Sequence, residues 1–556
     1  MVLGFCIKAA GTLAELVLPL IMAEMIDVVA PRGDVLALSL WGAGMLACAA
    51  VGLGGNVIAN RMASAVARDT MDRLRTDLFA ATLRLSARQT DEVTVPSLVS
   101  RLSSDTYNVH NMIGMMQRLG VRAPILLIGG VTLTFLVDYM LAFILLAAVP
   151  VLTVVVILVA RRGIRLYDDL QRSVDGMVRK VRDDYAGMRV IRALSRTGYE
   201  RDSFAKINDG VVRCDRRAGL TMAVTNPLMS AILNLGMAAV IFVGAFRVAD
   251  GFAMPGDIIA FTSYFTIILN AVISVSRIFV NYSKGSASAR RIAGILALKE
   301  ELLPQRGLPA GEQGAVLAFE NVTFSYGGAP ALKDVSFTLQ KGESLGVIGA
   351  TGSGKSTIAA LLLRFYDPQA GRVLVDGRDV RTYEAGELRK KFGVVFQNDF
   401  LMAASVRENI DFERGIADEG LGRAAAFARA DGFIAEHGGM EGTLTARGAN
   451  FSGGQKQRLL IARALAGAPD ILILDDSSSA LDYATDAELR KTLTQRLPST
   501  AIVMIAQRIS SVRFADKILV LDEGRVAGFG SDKELMATCA VYRSIYASQH
   551  GEGRDA

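Results

Sequence analysis

Gly349-Ala350-Thr351-Gly352-Ser353-Gly354-Lys355-Ser356-Thr357 stands between an apolar run, Ser344–Ile348, and a helical one, Ile358–Phe365. The pattern predicts a strand, a loop and a helix. Glycines let backbone N–H groups close around a phosphate without Cβ clashes, and the helix N-terminus adds a favourable dipole. Lys355 brings a positive charge to the terminal phosphates, and Ser356 a hydroxyl for Mg2+. The loop is expected to hold a nucleotide.

Downstream, Ile471-Leu472-Ile473-Leu474 reads as a second strand that ends in Asp475-Asp476. A carboxylate at a strand end beside a phosphate loop holds Mg2+, and Asp475 is assigned that part. Between the two lies Ser452-Gly453-Gly454-Gln455, which opens the apolar helix Leu459–Leu465. Its exposed backbone donors form a second anion cradle. One domain cannot easily fold two cradles onto one phosphate, whereas two copies facing head to tail can.

The rest of the 556 residues divide sharply. Half the chain is hydrophobic (51%) and 21% is charged, with a mean hydropathy of +0.34, which excludes a disordered chain. Long uncharged runs crowd residues 1–285, while 315–550 carry charge throughout, as in an ordinary α/β domain. Candidate membrane spans fall near 5–29, 35–60, 118–137, 139–160, 222–247 and 257–280, each close to the ~20 apolar residues a bilayer requires. The first is expected to be a retained span and not a cleaved signal. The net charge of +6 does not indicate a nucleic-acid partner, since no basic run is interleaved with aromatics.

Two long connections between spans are rich in arginine (Arg68, Arg73, Arg75, Arg84 and Arg88; then Arg179, Arg182, Arg189, Arg192, Arg196 and Arg201), and the short ones carry almost none. This bias places the long connections and the C-terminal half in the cytoplasm, with the spans continuing as helices beyond the bilayer. Cys6, Cys48, Cys214 and Cys539 are far apart, so neither a metal cluster nor a disulfide framework is indicated. Residues 299–314, broken by Pro and Gly, read as a linker, and 551–556 as a tail. The expected domains are 1–298, α-helical with six spans, and 315–550, an α/β nucleotide-binding domain.

Polar side chains inside spans are costly in lipid, ~2.5–3.5 kcal/mol for a charge at the bilayer centre. Glu15 is therefore expected to face an interior or a watery cavity. Asn226, Ser230 and Asn234 share one face of the fifth span, and Asn270, Ser274 and Arg277 one face of the sixth. Either they line a polar substrate path or they bond helix to helix.

In the order and approximate spacing of these motifs, after six spans, the chain resembles an ATP-binding cassette half-transporter of the exporter type over nearly its whole length. The resemblance implies ATP and Mg2+, a domain-swapped dimer in the cytoplasmic membrane, and movement of a lipophilic or amphipathic compound: a drug, lipid or peptide. It also implies that Tyr326 stacks on adenine, that Gln397 touches Mg2+ or water, and that the loop ending in Asp482 crosses to the opposite subunit. Val99–Asp105 and Tyr199–Phe204 are similar to the helices that couple the membrane domain to nucleotide domains.

Two positions depart from the family's pattern. The glutamate that orients the attacking water is replaced by Asp476, one methylene shorter. The histidine that contacts the γ-phosphate is replaced by Gln507, which cannot become positively charged. The histidines present, His110, His437 and His550, lie elsewhere. Ala446 stands where many relatives carry a glutamate linked with cross-subunit coupling. A positioned acid–base group is typically worth ~10²–10⁴-fold in rate, so this site is expected to bind MgATP and hydrolyse it slowly. The pattern resembles the degenerate protomer of a heterodimer whose partner half-transporter keeps the glutamate and histidine. A homodimer with working sites, a regulatory or channel-gating subunit, and a siderophore importer on the same fold are the alternatives.

Overall fold

The computed structural model describes residues 2–309, 314–477 and 481–550. The tail 551–556, linker residues 310–313, and Ser479 and Ala480 of the expected crossing loop lie outside these residues, as does the side chain of Asn226. The chain divides into two compact units, Met1–Leu83 with Pro96–Ala297, and Arg84–Val95 with Leu298–Ala556.

The first unit is helical: α1 (Val2–Glu24), α2 (Val35–Leu83), then, beyond the short α3 (Ala87–Val93) of the second unit, α4 (Thr106–Val137), α5 (Tyr139–Ala186), α6 (Thr197–Ala223), α7 (Thr225–Ala249) and α8 (Pro255–Leu296). Among the described residues, five stretches are long and apolar enough to cross a membrane: Val35–Leu83, Val95–Val137, Tyr139–Ala186, Thr197–Ala249 and Pro255–Leu296. The sixth expected span is helical too, as α1, but is not one of the five. At 1.5 Å per residue the 49 residues of α2 run about 74 Å, well beyond a hydrocarbon core of about 30 Å. Exposed Leu36, Leu40, Leu46 and Leu53 along it are the surface expected against lipid. Inside, Leu16, Leu126, Leu141, Leu145, Phe261, Tyr264, Phe265 and Ile268 form the core. The turn at Asp138 is a cap: its Oδ1 accepts from the backbone N–H groups of Met140 and Leu141 at 2.8 and 3.0 Å. Its Oδ2 takes Arg247 from the end of α7 at 3.0 Å.

The second unit holds two sheets. A four-stranded antiparallel sheet runs β2 (Leu332–Gln340), β1 (Ala315–Phe324), β4 (Ala370–Val375), β5 (Arg378–Asp379). A six-stranded sheet runs β10 (Arg525–Gly530), β9 (Lys517–Asp522), β3 (Ser344–Gly349), β8 (Ala501–Ile505), β7 (Ile471–Asp475), β6 (Phe392–Val395). Only β10 is antiparallel to its neighbour. The near-continuous apolar sequences of β3, β7 and β8 suit parallel strands buried on both faces. Their register brings the carboxyl ends together, with Val347 opposite Ile505 and Ile505 opposite Asp475. Ligands bind at such an edge.

Segment Arg84–Val95 belongs with this second unit. Ser86 caps α3 through a reciprocal box with Gln89, and its hydroxyl donates to Glu301 at 2.7 Å. Gln89 Nε2 donates to the Lys299 carbonyl at 2.8 Å, and the Tyr366 hydroxyl to Asp91 at 2.7 Å. The segment that resembles a coupling helix in sequence is Val99–Asp105. That segment lies in the helical unit, where the Asp105 carboxylate is already held by Arg291 and Ser288.

Arg364 is almost wholly buried, 1% exposed. It bonds the Asp367 carboxylate at 3.0 Å and the carbonyls of Tyr383 and Leu303 at 3.2 and 2.9 Å, tying the linker to the sheet. Arg364→Ala would strand these acceptors and should destabilise the second unit by about 3 kcal/mol. Thermal unfolding of the full chain should show a loss of several degrees; an unchanged transition would remove Arg364 from this part.

Candidate nucleotide site

The carboxyl ends of β3, β8 and β7 open into a cavity of about 400 Å³ whose lining includes Tyr326, Lys355, Ser356, Gln397, Asp475, Asp476 and Gln507. Thr351, Gly352, Gly354 and Thr357 complete the loop side. Residues separated by 181 positions in sequence, from Tyr326 to Gln507, thus face one space.

The loop is built by backbone constraints. Gly354 has φ +98° at the start of α9 (Lys355–Leu362), and a Cβ there would sit 2.5 Å from the Ala331 carbonyl oxygen. A Cβ on Gly349 would meet the Leu521 carbonyl at 2.2 Å and Ser353 Oγ at 2.6 Å. Only glycine satisfies both. Lys355 Nζ folds back onto the carbonyls of Gly349 and Ala350 at 2.9 and 2.8 Å, spanning the space that the loop encloses. The buried Ser353 hydroxyl has no partner among the described residues, a free polar group beside the cradle.

Electrostatics point the same way. Burial holds the Lys355 ammonium below its ordinary pKa, partly offset by Asp475 and Asp476. Burial pushes the Asp475 carboxyl up, although the Ser356 hydroxyl bonds to it. Each group is penalised for charge that a phosphate and a divalent cation would neutralise. The Ser356 hydroxyl and the Asp475 carboxylate bring together oxygen donors of the type Mg2+ prefers and would hold it. The site therefore fits MgATP. Tyr326 is exposed, packs edge-on against Phe324 and Tyr366 with centroids 4.7 and 5.1 Å apart, and bonds Thr357 Oγ1 at 3.3 Å.

Asp476 has φ +51°, a region in which Asp is better tolerated than most residues, and its N–H donates to Ile505 at 2.8 Å. Gln507 follows β8, and its carbonyl accepts from Gln549 Nε2 at 2.7 Å. Gln549 in turn accepts from the Ile509 N–H at 2.8 Å. This bracket from the last helix escaped the sequence reading because a lone glutamine carries no pattern.

The second cradle stands apart. Ser452 caps α10 (Gly453–Ala466) in a reciprocal box with Gln455, and none of Ser452, Gly453, Gly454 and Gln455 lines the cavity. Asp482 caps the helix Tyr483–Arg496 by accepting from the Thr485 N–H. Of the span residues, Glu15, Asn270 and Ser274 border one small cavity. Ser230, Asn234 and Arg277 do not line it.

Lys355→Ala should abolish ATP binding with or without Mg2+, while Asp475→Asn should remove only the Mg2+-dependent part. Equilibrium binding of a fluorescent ATP analogue, with and without EDTA, measures both. Binding unaffected by Lys355→Ala would contradict the assignment.

The family of the ABC transporter transmembrane region matches residues 1–272, and the ABC transporter family matches residues 332–479. An uncharacterized ABC transporter ATP-binding protein of Mycobacterium tuberculosis is 34% identical over 555 residues, covering 98% of this chain and 94% of that protein. One from Bacillus subtilis is 31% identical over 541 residues, 97% of this chain and 94% of its own length. The structure of a bacterial Atm1-family ABC exporter with ATP bound matches with a TM-score of 0.82 and 24% identity, covering 100% of this chain and 98% of that one; it shares the fold. With its multi-pass helical unit and its nucleotide unit, the chain belongs to the ABC transporter family.

Proposed function

We propose that this chain is the degenerate-site half of a heterodimeric ABC exporter in the cytoplasmic membrane. The observation that carries this reading is the pairing of Asp476 and Gln507 in one cavity with Lys355, Ser356, Gln397 and Asp475. Everything needed to bind MgATP is there. The longer carboxylate that would orient water, and the imidazole that would meet the γ-phosphate, are not.

In the assembled complex, Tyr326 stacks on adenine and the backbone of Gly349 to Thr357 wraps the phosphates. Lys355 leaves its own loop carbonyls to meet them. Ser356, Asp475 and Gln397 would hold Mg2+, which would supply charge neutralisation at the phosphates. The partner's signature segment closes this site, where ATP persists. The reciprocal site uses this chain's Ser452-Gly453-Gly454-Gln455 against the partner's phosphate loop, with the partner's glutamate and histidine. Asp482 helps to align the two. ATP binding closes the dimer and turns six spans, α1 included, outward; hydrolysis, mainly at the reciprocal site, resets them. The domains run 1–298, 299–314 as linker and 315–550, with the nucleotide domain in the cytoplasm and spans swapped between protomers. The transported compound is lipophilic or amphipathic.

MgATP turnover in lipid vesicles, for this chain alone and co-purified with a half-transporter carrying the glutamate and histidine, tests the reading. Activity should appear only in the mixture and vanish when the partner's glutamate is changed. Robust turnover by this chain alone would contradict it. The double substitution Asp476→Glu with Gln507→His should raise hydrolysis at this chain's own site by about 10²-fold or more. Site-resolved single-turnover assays with the partner site inactivated measure that gain.

A further inference from the structure

The helical unit contains a polar network that a simple helix lock does not require. Lys8, only 3% exposed, donates to Asn56 Oδ1 at 2.6 Å and Asn60 Oδ1 at 3.0 Å. Asn56 passes its own amide to Glu15 Oε1 at 2.7 Å, and Glu15 Oε2 takes Arg122 Nη2 at 2.8 Å. The network joins α1, α2 and α4. It is held in place by close backbone packing: a Cβ on Gly55 would lie 3.2 Å from Gly11 Cα, and one on Gly11 would lie 3.3 Å from the Gly52 carbonyl.

Two features remain unaccounted for. Arg118, Arg122 and Glu15 all act on the surroundings of Lys8, so two guanidinium groups share one carboxylate and one positive charge is in surplus before Lys8 is counted. Arg118 spends its Nε on the Gly114 carbonyl of its own helix, at 3.0 Å. Arg122 Nε is buried with no partner among the described residues. An unpaired donor of this kind costs ~1–3 kcal/mol, more for a charged group, unless a ligand takes it. Arg122 also borders a cavity of about 160 Å³ whose other polar walls are Glu15, Asn270 and Ser274, with Leu126 and Ile267 as apolar walls. A surplus of positive charge, a guanidinium and an amide beside an aliphatic wall together describe a receptor for an amphiphilic acid.

We propose that this cavity binds the acid group of the transported amphiphile, a carboxylate or phosphate, through Arg122 with the Asn270 amide, its tail lying against Leu126 and Ile267; the Ser274 hydroxyl donates to the Asn270 carbonyl at 2.9 Å and borders the site without donating to the ligand. Glu15 orients Arg122 and competes with the ligand for it. The proposal deepens the transport reading and rests on the chain being a transport subunit, but not on asymmetry between nucleotide sites.

The test is equilibrium binding of dodecyl phosphate, dodecanoate and dodecyltrimethylammonium to the nucleotide-free full chain in phosphatidylcholine nanodiscs. Both acids should bind at least about tenfold more tightly than the cation, a difference of about 1.4 kcal/mol. Arg122→Gln should lower the affinity for the acids about tenfold, and Arg122→Lys should restore part of it. Because Arg122→Gln also strands Glu15, Glu15→Gln is the decisive second variant. It should tighten acid binding, since it removes the competitor, whereas a purely structural ion pair predicts weaker binding. Equal binding of acid and cation, acid affinity unchanged in Arg122→Gln, or weaker binding in Glu15→Gln would overturn the proposal. Repeating the titration in phosphatidylglycerol nanodiscs assigns the source within a positive result: displaced probe identifies a lipid headgroup as occupant, undisplaced probe a soluble amphiphile. Intact MgATP binding alongside absent acid binding would sink this inference alone; loss of both would sink the transport reading.

Discussion

A triphosphate needs hydrogen-bond donors on every side, and one ABC nucleotide domain supplies them in two places that do not meet. The loop after β3 and the N-terminus of α10 are both built to receive anions. Only the first lines the cavity with Lys355 and Asp475. The fold therefore leaves each chain with a phosphate pocket open on one side and a spare cradle, and a dimer follows from the chemistry of the ligand. Much of the local architecture serves this division. Parallel strands β3, β8 and β7 align their carboxyl ends, glycine is forced at positions 349 and 354 by neighbouring carbonyls, and the Ser452–Gln455 box fixes the other helix start.

Splitting the donors between chains also permits the two composite sites to diverge. Lys355, Ser356 and Asp475 line the cavity together with Asp476 and Gln507. Burial already disfavours the charges of Lys355 and Asp475 in the absence of ligand. Nucleotide and cation would relieve that penalty together.

The phosphate loop and the carboxylate strand were legible because their chemistry is local: a few consecutive residues must adopt one geometry. Gln397, Tyr326 and Gln507 could be brought to the same site only by resemblance, since their convergence is a property of sheet order. The span count was harder to read. Length and hydropathy mark five stretches among the described residues, and the partners of Lys8 and Glu15 in α1, Asn56 and Arg122, are invisible without tertiary structure. Glu15 was expected to face an interior from its desolvation cost alone; that it pairs with Arg122 depends on which helix turns pack together. The grouping of Arg84–Val95 with the nucleotide unit is a property of the tertiary structure. Its own signal, Ser86 followed three residues on by Gln89, is a capping box that marks the start of α3.

The asymmetry of the two nucleotide sites is tested most directly by asking which nucleotide each chain holds after one cycle. The assembled complex in vesicles would be loaded with radiolabelled photoreactive ATP and Mg2+, chased with unlabelled ATP, crosslinked by light, and each chain's label identified. The account predicts intact triphosphate retained at this chain's phosphate loop and rapid exchange to diphosphate at the partner's. Diphosphate appearing on both chains at the same rate would contradict it.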